Sequence, residues 1–332
     1  MPQQTSRSAS LPGTGFGHSR ALALFSRHAI LITLLAFIAG FSLLQPETFF
    51  TRANLNAILA TQAVLLIVAL AVTIPLASGD FDLSIGFTLN LTMAMTAYIS
   101  VEAGWHWLSA LLLSLFVGVG VGIVNAFFIV ILDVSAFVVT LGMATVLQGL
   151  MFVITGGRVI FGIPDQITSM SRHEFVDIPL VTWYAFALAV VLWYLYEHTP
   201  LGRYLIFVGQ DRMAARLAGV PVRRIRFGAF VTAGTICGIA GILNAAQLGA
   251  SDPNVGPSVL LPAYAAAFLG ATTIKVGRFN SWGTVLALFL LATGITGLQL
   301  MGAPFFVDPL FNGAALVLAV TFARVAQRRV EV

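Results

Sequence analysis

The feature that most constrains the fold of this chain is a series of long apolar stretches separated by short polar connections. A transmembrane helix needs roughly 20 predominantly apolar residues to cross the hydrocarbon core of a bilayer. Stretches near that length occur ten times, at about 29–44, 55–77, 85–101, 108–132, 136–154, 180–196, 227–248, 259–274, 282–301 and 309–323. Because some stretches are short, the pieces 83–101 and 259–274 are expected to be tilted, broken or re-entrant. We predict an all-α polytopic membrane protein with about ten transmembrane helices.

Composition supports this fold class and disfavours disulfide bonds and metal sites. Only 9% of the 332 residues are charged and the mean hydropathy is +0.95, whereas a soluble domain carries about 25% charged residues. The single cysteine, Cys237, excludes a disulfide framework or a cysteine metal site within one chain. The five histidines are scattered without metal-ligand spacing, so no metal site is predicted.

The two ends of the chain are predicted to be tails. Residues 1–27 are rich in Ser, Gly and Pro and contain no acidic residue, which favours a disordered tail over a cleaved signal peptide. The membrane domain is placed at 28–324 and a C-terminal tail at 325–332.

The positions of the basic residues predict the orientation in the membrane. If the N-terminal tail is cytoplasmic and ten spans alternate, all of the 17 Lys and Arg residues except Arg52, Arg158 and Arg172 fall on the cytoplasmic side. Cytoplasmic loops of membrane proteins carry such an excess. Both termini and the loop 198–226 are therefore predicted to be cytoplasmic.

That loop contains the clearest local helix signal outside the apolar stretches. Asp211 can accept hydrogen bonds at a helix N-terminus, and Gly219 followed by Pro221 predicts the C-terminal end. Met213 and Leu217 lie four residues apart on one face. We predict a short amphipathic helix over 211–219. Its apolar face either packs on the chain's own membrane domain or lipid, or docks on another protein.

The segment Ser78–Gly86, SGDFDLSIG, places two carboxylates between apolar stretches. Ionisable groups at membrane depth are costly and often mark a transport pathway. Gly79 and Gly86 can permit a break in the helix, and Asp82 and Ser84 resemble N-terminal caps more than proton carriers. Two interpretations stay open: a solvated turn with capping acids, or a broken helix that lines the pathway or contacts a partner.

Two further features predict packing and a possible docking site. Gly118 and Gly122, and Gly234 and Gly238, are spaced four apart, which allows close helix contacts. The predicted outer loop 155–179 is long enough for a short amphipathic helix that gates the pathway or receives a partner. The alternative for that loop is an ordinary connection.

Several function classes are disfavoured by missing motifs. The sequence has neither H-E-x-x-H nor G-x-S-x-G, and its one lysine, Lys275, precedes Val276, so no phosphate-binding G-x-x-x-x-G-K-[ST] loop exists. Any ATP must therefore bind another chain. The basic residues follow topology rather than a nucleic-acid-binding surface. An ion-driven secondary transporter is a weaker alternative, because Asp80, Asp82 and Glu197 lie near predicted span ends.

Three stretches resemble permease subunits of bacterial ABC importers for ribose and other simple sugars. SGDFDLSIG resembles the family's Ser-Gly-Gly-Ile-Asp-Leu-Ser-Val-Gly signature, and 262–287 is similar to its Ala-Ala-x-x-x-Gly-Gly-Thr stretch. The stretch 201–220 resembles the family's cytoplasmic coupling segment, with Asp211 and Arg212 in place of Asn-Glu. The matching residues are Asp82, Leu83, Ser84 and Gly86 in the first stretch, and Leu201, Gly202, Arg203, Tyr204, Gly209, Ala214, Ala215, Arg216, Leu217 and Gly219 in the coupling segment.

The resemblance implies a permease in the bacterial inner membrane that imports a monosaccharide or similar small polyol. It implies a second copy or a paralogue, two ATPase subunits that bind ATP and Mg²⁺, and a periplasmic or lipid-anchored binding protein. Related permeases carry branched-chain amino acids or nucleosides, so these stay alternative cargoes. The coupling residues would be Gly209, Asp211, Arg212, Ala214, Ala215, Arg216, Leu217 and Gly219, and the pathway or structural motif would hold Gly79, Asp82, Ser84 and Gly86.

Overall fold

The computed structural model describes residues 16–328, with side-chain environments for residues 28–321. Helices dominate the described part of the chain, and the only strands in it are four two-residue pieces. The helices are α1 (Phe16–Leu44), α2 (Arg52–Ala77), α3 (Ile85–Ala97), α4 (Trp107–Ala126), α5 (Ala136–Thr155), α6 (Asp165–Arg172), α7 (Leu180–His198), α8 (Pro200–Gln210), α9 (Arg212–Leu217), α10 (Val222–Leu248), α11 (Val255–Gly270), α12 (Ser281–Leu300) and α13 (Val307–Arg328).

Six helices of the described residues are long and apolar enough to cross a membrane: α2, α4 with its C-terminal extension, α5, α7, α10 and α12. Shorter apolar helices lie at His28–Leu44, Val255–Gly270 and Val307–Thr321. Each of the ten predicted stretches overlaps a helix. The all-α membrane fold is thus confirmed, whereas ten crossings and cytoplasmic termini stay predictions.

Several predicted boundaries differ from those observed. The stretch predicted at 259–274 corresponds to α11, which begins and ends four residues earlier, at Val255–Gly270, and contains Pro262. Helix α3 passes without a break into a π-helical turn at Tyr98–Glu102. Helix α1 begins at Phe16, inside the tail predicted as disordered, while residues 1–15 lie outside the described residues. Helix α13 continues past 324 to Arg328.

Helix α10 packs against α4 through facing glycines. A Cβ atom built on Gly118 would lie 2.8 Å from the Cα of Gly238, and one built on Gly234 would lie 2.9 Å from the Cα of Gly122. The two small-residue pairs of the sequence therefore meet each other, and the backbones approach closely. On its next face, α10 places Gly241 against Leu89 and Thr92 of α3.

The long loop 155–179 is structured and attached to the end of α10. It contains α6, as the sequence allowed, and strand β1 (Ile160–Phe161), which pairs antiparallel with β4 (Ala250–Ser251). Strands β2 (Glu174–Phe175) and β3 (Ile178–Pro179) pair with each other. Ser171 donates a hydrogen bond to the carbonyl of Leu243 at 2.9 Å. The predicted helix in this loop is present, whereas a role as a gate or a docking site stays a prediction.

The glycine contact generates a stability prediction with a control on the same helix. Gly118→Leu should lower the thermal stability of the solubilised protein, because overpacking typically costs about 1–3 kcal/mol. Gly120→Leu should have little effect, since a Cβ atom at Gly120 meets nothing within 4 Å. A thermal unfolding series in detergent measures both. Equal stability of the two variants would contradict the close packing of α4 on α10.

Candidate functional site: the Asp80 cluster and the helix it holds

The predicted amphipathic helix exists, and a second helix precedes it. Asp211 Oδ1 accepts hydrogen bonds from the backbone N–H groups of Met213 and Ala214 at 2.8 and 3.0 Å, which begins α9. Gly219 has a φ of +79°, a left-handed conformation that ends the helix. The cap and the stop are confirmed.

Helix α8 is not among the predicted helices, because the residues before Asp211 are assigned to the cytoplasmic loop. Its N-terminus is capped by Thr199 Oγ1, which accepts from the N–H of Gly202 at 3.2 Å, and Pro200 occupies the first turn. Thr followed by Pro is a helix start signal. That signal was available in the sequence.

Helix α9 presents its apolar face outward. Met213 and Leu217 are 62% and 83% exposed. Ala215, on the opposite side, is fully buried in a cluster with Val208 and Val220. The Met213–Leu217 face therefore does not pack on this chain's described helices. Ala215, which the sequence analysis grouped with the coupling residues, is buried and holds α9 in place.

Below α9, a buried carboxylate joins the segment 78–86 to the loop 198–226. Asp80 is 4% exposed, and its two oxygens accept from Arg226 Nε at 2.7 Å and Arg226 Nη2 at 2.9 Å. Arg212 Nη2 donates to Asp80 Oδ1 at 2.8 Å and to the carbonyl of Gly79 at 3.0 Å. We call Asp80, Arg212 and Arg226 the Asp80 cluster.

The Asp80 cluster was not predicted. The family resemblance predicts no role for Asp80, and it places Arg212 among the coupling residues without a partner in this chain. The bonds join residues 132 and 146 positions apart, so no local spacing could reveal them. Bidentate pairing with an arginine is among the strongest hydrogen-bonded contacts, and here a second arginine bonds to the same carboxylate.

Close backbone contact strengthens the same junction. Gly79 has a φ of +77°, and a Cβ atom there would lie 3.2 Å from the carbonyl oxygen of Gly209. A Cβ atom on Gly209 would collide with the carbonyl oxygen of Ala77. The end of α8 thus lies directly on the end of α2. Gly79 and Gly209, predicted in two separate motifs, belong to one contact.

Asp82 and Ser84, later in the segment 78–86, are also buried and hydrogen-bonded, whereas Phe81 is 44% exposed. Asp82 Oδ1 accepts from the N–H of Ser84 at 3.0 Å and from its hydroxyl at 2.6 Å. The hydroxyl of Tyr264 accepts from the N–H of Asp82 at 3.0 Å and donates to its carbonyl at 2.9 Å. Asn125 donates to Ser84 Oγ at 2.8 Å. This is not a solvated turn.

The expectation for Ser84 needs a correction. Ser84 occupies the N-cap position of α3, but its side chain makes no capping hydrogen bond there. Its hydroxyl donates to Asp82 instead, so Asp82 shapes the turn. Gly86 allows α3 to touch α11, because a Cβ atom there would collide with the carbonyl oxygen of Gly256.

The Asp80 cluster generates a prediction about folding. Asp80→Asn removes the charge that pairs with Arg226, whose side chain is 8% exposed. Removing one partner of a buried ion pair typically costs about 3–5 kcal/mol of stability, so the variant should unfold at a clearly lower temperature.

The control is Glu102→Gln, which removes the more exposed ion pair with Arg158 and should change stability little. Thermal stability of both variants in the same detergent is the measurement. An Asp80→Asn protein as stable as the Glu102→Gln protein would show that the cluster does not hold the fold together.

Comparisons with known proteins identify the family of this chain. Residues 54–322 match the model of the family described as "Branched-chain amino acid transport system / permease component". The ribose import permease protein RbsC of Escherichia coli strain K12 is 31% identical over 294 residues, which cover 87% of this chain and 91% of that protein. The autoinducer 2 import system permease protein LsrD of Salmonella typhimurium is 28% identical over 315 residues, 92% of this chain and 93% of that protein.

No solved structure matches the chain. The family match nevertheless spans far more than half of the sequence, and it runs from the first turn of α2 into α13. Both relatives are permeases of import systems, in agreement with the apolar helices. The chain is a multi-pass membrane protein that belongs to this family of transport-system permease components.

Proposed function

We propose that this chain is the permease subunit of an ATP-driven importer and carries a monosaccharide or similar small polyol across the bacterial inner membrane. The observation that carries the proposal is α9, a short helix with exposed Met213 and Leu217 above the buried Asp80 cluster. An exposed apolar face on a firmly held helix is suited to dock in a cleft of another protein. The import systems named for the two relatives support the same role.

The partner at α9 would be an ATPase subunit. Met213 and Leu217 would enter its cleft, and Arg216 would add positive charge beside them. Asp211 and Gly219 define the ends of the helix, while Gly209 and Ala215 allow it to lie close to the bundle. Ala214, half-buried, would support the same packing.

The Asp80 cluster would transmit movement from the ATPase into the membrane. Arg212 lies at the start of α9 and Arg226 lies in α10, and both bond to the segment between α2 and α3. When the ATPase pair closes on ATP, a displacement of α9 would therefore be shared by α2, α3 and α10. Substrate delivery and ATP hydrolysis would influence each other reciprocally through this junction.

ATP and Mg²⁺ would bind the ATPase subunits, and this chain would supply no catalytic residue and no metal ligand. Its one lysine cannot complete a phosphate-binding loop. In the structure Lys275 forms an ion pair with Glu197 at the end of α7.

Other partners would complete the importer. A second copy or a paralogue would form the pathway together with this chain. A periplasmic or lipid-anchored binding protein would dock at the predicted outer face, where α6 and the β1–β4 pair form a surface attached to α10. Exposed apolar side chains on α5, such as Phe137 and Val138, would contact membrane lipid or the second permease.

Branched-chain amino acids or nucleosides are the alternative cargoes, and the family description names the former. We favour a sugar because the two relatives are named as permeases for the import of ribose and of autoinducer 2. An ion-driven transporter is less well supported, since both oxygens of Asp80 are already bonded to arginine.

The proposal predicts loss of ATPase docking when α9 loses its apolar face. Leu217→Glu should reduce capture of the ATPase subunit from native membranes by at least about tenfold, the change produced by 1.4 kcal/mol. Stoichiometric co-purification with the tagged permease measures this. The side chain is exposed, so thermal stability should not change.

The matched control is Phe161→Glu, which alters a similarly exposed apolar residue on β1. It should leave ATPase capture intact. A Leu217→Glu permease that captures the ATPase fully and imports sugar normally would refute the docking role. Gly219→Pro should also weaken docking, because proline cannot adopt the positive φ of this position. Ala215→Leu should do the same, because the larger side chain would displace α9 from the bundle.

A further inference from the structure

A large cavity lies between four helices of the membrane domain. Its volume is about 720 Å³, within the range of about 300–1,000 Å³ that is usual for small-ligand sites. Helices α2, α11, α12 and α13 form its walls. Its polar lining residues are Thr61, Gln62, Ser258, Thr296, Gln299, Asp308 and Asn312.

The polar lining distinguishes this cavity from another one beside it. A cavity of about 410 Å³ between α1, α2 and α12 also has polar or charged residues in its lining, namely Thr51, Arg52, Asn54 and Thr293, but most of its exposed surface is apolar and comes from residues such as Leu34, Ile38 and Phe289. Polar side chains within an apolar bundle cost free energy unless they find partners. Thr61 and Ser258 already donate to the carbonyls of Ala57 and Val255, so Asp308 and the carboxamides are the groups that can bond to polar contents.

A carboxylate and a carboxamide form the centre of the polar lining. Asp308 and Asn312 are one turn apart on α13, and Asn312 Nδ2 donates to Asp308 Oδ1 at 2.6 Å. An ionised carboxylate has room for about four hydrogen bonds, so Asp308 can accept further bonds from a ligand. The contact with Asn312 fixes the direction of the carboxylate.

Two more carboxamides are available across the cavity. Within the described part of the chain, the side chains of Gln62 on α2 and Gln299 on α12 make no hydrogen bond to another protein group; Gln62 is half-buried and Gln299 is exposed. Each offers two donors and one carbonyl acceptor. Hydroxyl groups can donate and accept at once, and therefore match such a mixed set.

The charge of the lining limits the ligand further. Asp308 is the one ionisable side chain among the described residues that line this cavity. A carboxylate or phosphate on a ligand would find no opposing positive charge, and would face Asp308 instead. Phe305, 87% exposed at the edge, provides a ring on which the apolar face of a sugar can stack.

We infer that this cavity is a binding site for a neutral polyhydroxylated ligand, with Asp308, Asn312, Gln62 and Gln299 as its hydrogen-bonding groups. The inference rests on the proposed function and specifies where in the chain the cargo is held. In the predicted orientation the connection 302–308, between the ninth and tenth apolar stretches, lies outside. Asp308 ends this connection, so the cavity lies toward the outer face. Cargo released by a binding protein would reach it first.

Protection of an introduced cysteine tests the site. Because Cys237 is the single cysteine and is buried, the unmodified permease should not react with a small hydrophilic thiol reagent. Thr296→Cys adds a reactive thiol in the cavity. Reaction rates are measured on the complete complex in lipid, with D-ribose, D-xylose, D-galactose, xylitol and L-leucine added separately. Import of each compound by the same complex is measured in parallel.

We expect at least one imported sugar or polyol to slow modification at Thr296→Cys, and L-leucine to have no effect. Adding Asp308→Asn should raise the concentration needed for protection about tenfold, as expected for a lost hydrogen bond to a charged group. Asp252→Asn is the matched control: Asp252 also bonds to a neighbouring asparagine, Asn254, but does not line the cavity. It should leave protection unchanged. A cysteine at exposed Ala103 should react equally fast with and without sugar.

Three results would overturn the inference. If the complex imports a sugar that does not protect Thr296→Cys, the site is wrong while the proposed function stands. If Asp308→Asn and Asp252→Asn need the same sugar concentration for protection of the introduced cysteine, the Asp308 carboxylate has no part in binding. If only L-leucine is imported and protects, or if no compound is imported with ATP, the proposed cargo fails and the inference with it.

Discussion

The contact of one buried carboxylate with two arginines determines how the polar parts of this membrane protein are arranged. Asp80 is enclosed between α2 and α3 and accepts from Arg212 of α9 and Arg226 of α10. A buried carboxylate without such partners would carry a large desolvation cost. The chain therefore has to bring α8, α9 and the start of α10 back to the end of α2, and the glycines at 79 and 209 make room for that approach.

From this junction, contacts continue through the bundle to the large cavity. Asp82, two residues after Asp80, shares two hydrogen bonds with Tyr264 of α11. The same helix lines the cavity with Ser258 and Pro262. An exposed helix, a buried ion cluster and a polar cavity are thus joined through one short segment, 78–86. That continuity is the physical basis for expecting ATP-driven movement at α9 to reach the cargo.

The sequence predicts features that depend on local chemistry. Apolar stretches predicted the main helices, and Asp211 and Gly219 predicted the ends of α9, because a cap and a left-handed stop act on adjacent residues. The partners of Asp80 escaped prediction since they lie far away along the chain. The same reason hides the cavity, whose carboxamides come from α2, α12 and α13. Helix α8 was missed although Thr199 and Pro200 marked its start, and the glycine pairs were recognised without their mutual contact.

The most direct test of the account is the rate of ATP hydrolysis by the reconstituted complex with Arg212→Ala, with and without cargo-loaded binding protein. This change keeps the pair between Asp80 and Arg226 and leaves Met213 and Leu217 exposed, but it releases α9 from the segment 78–86. The account predicts that ATPase subunits still bind, while stimulation of hydrolysis by the loaded binding protein is lost. Stimulation equal to that of the unaltered complex would contradict transmission through the Asp80 cluster.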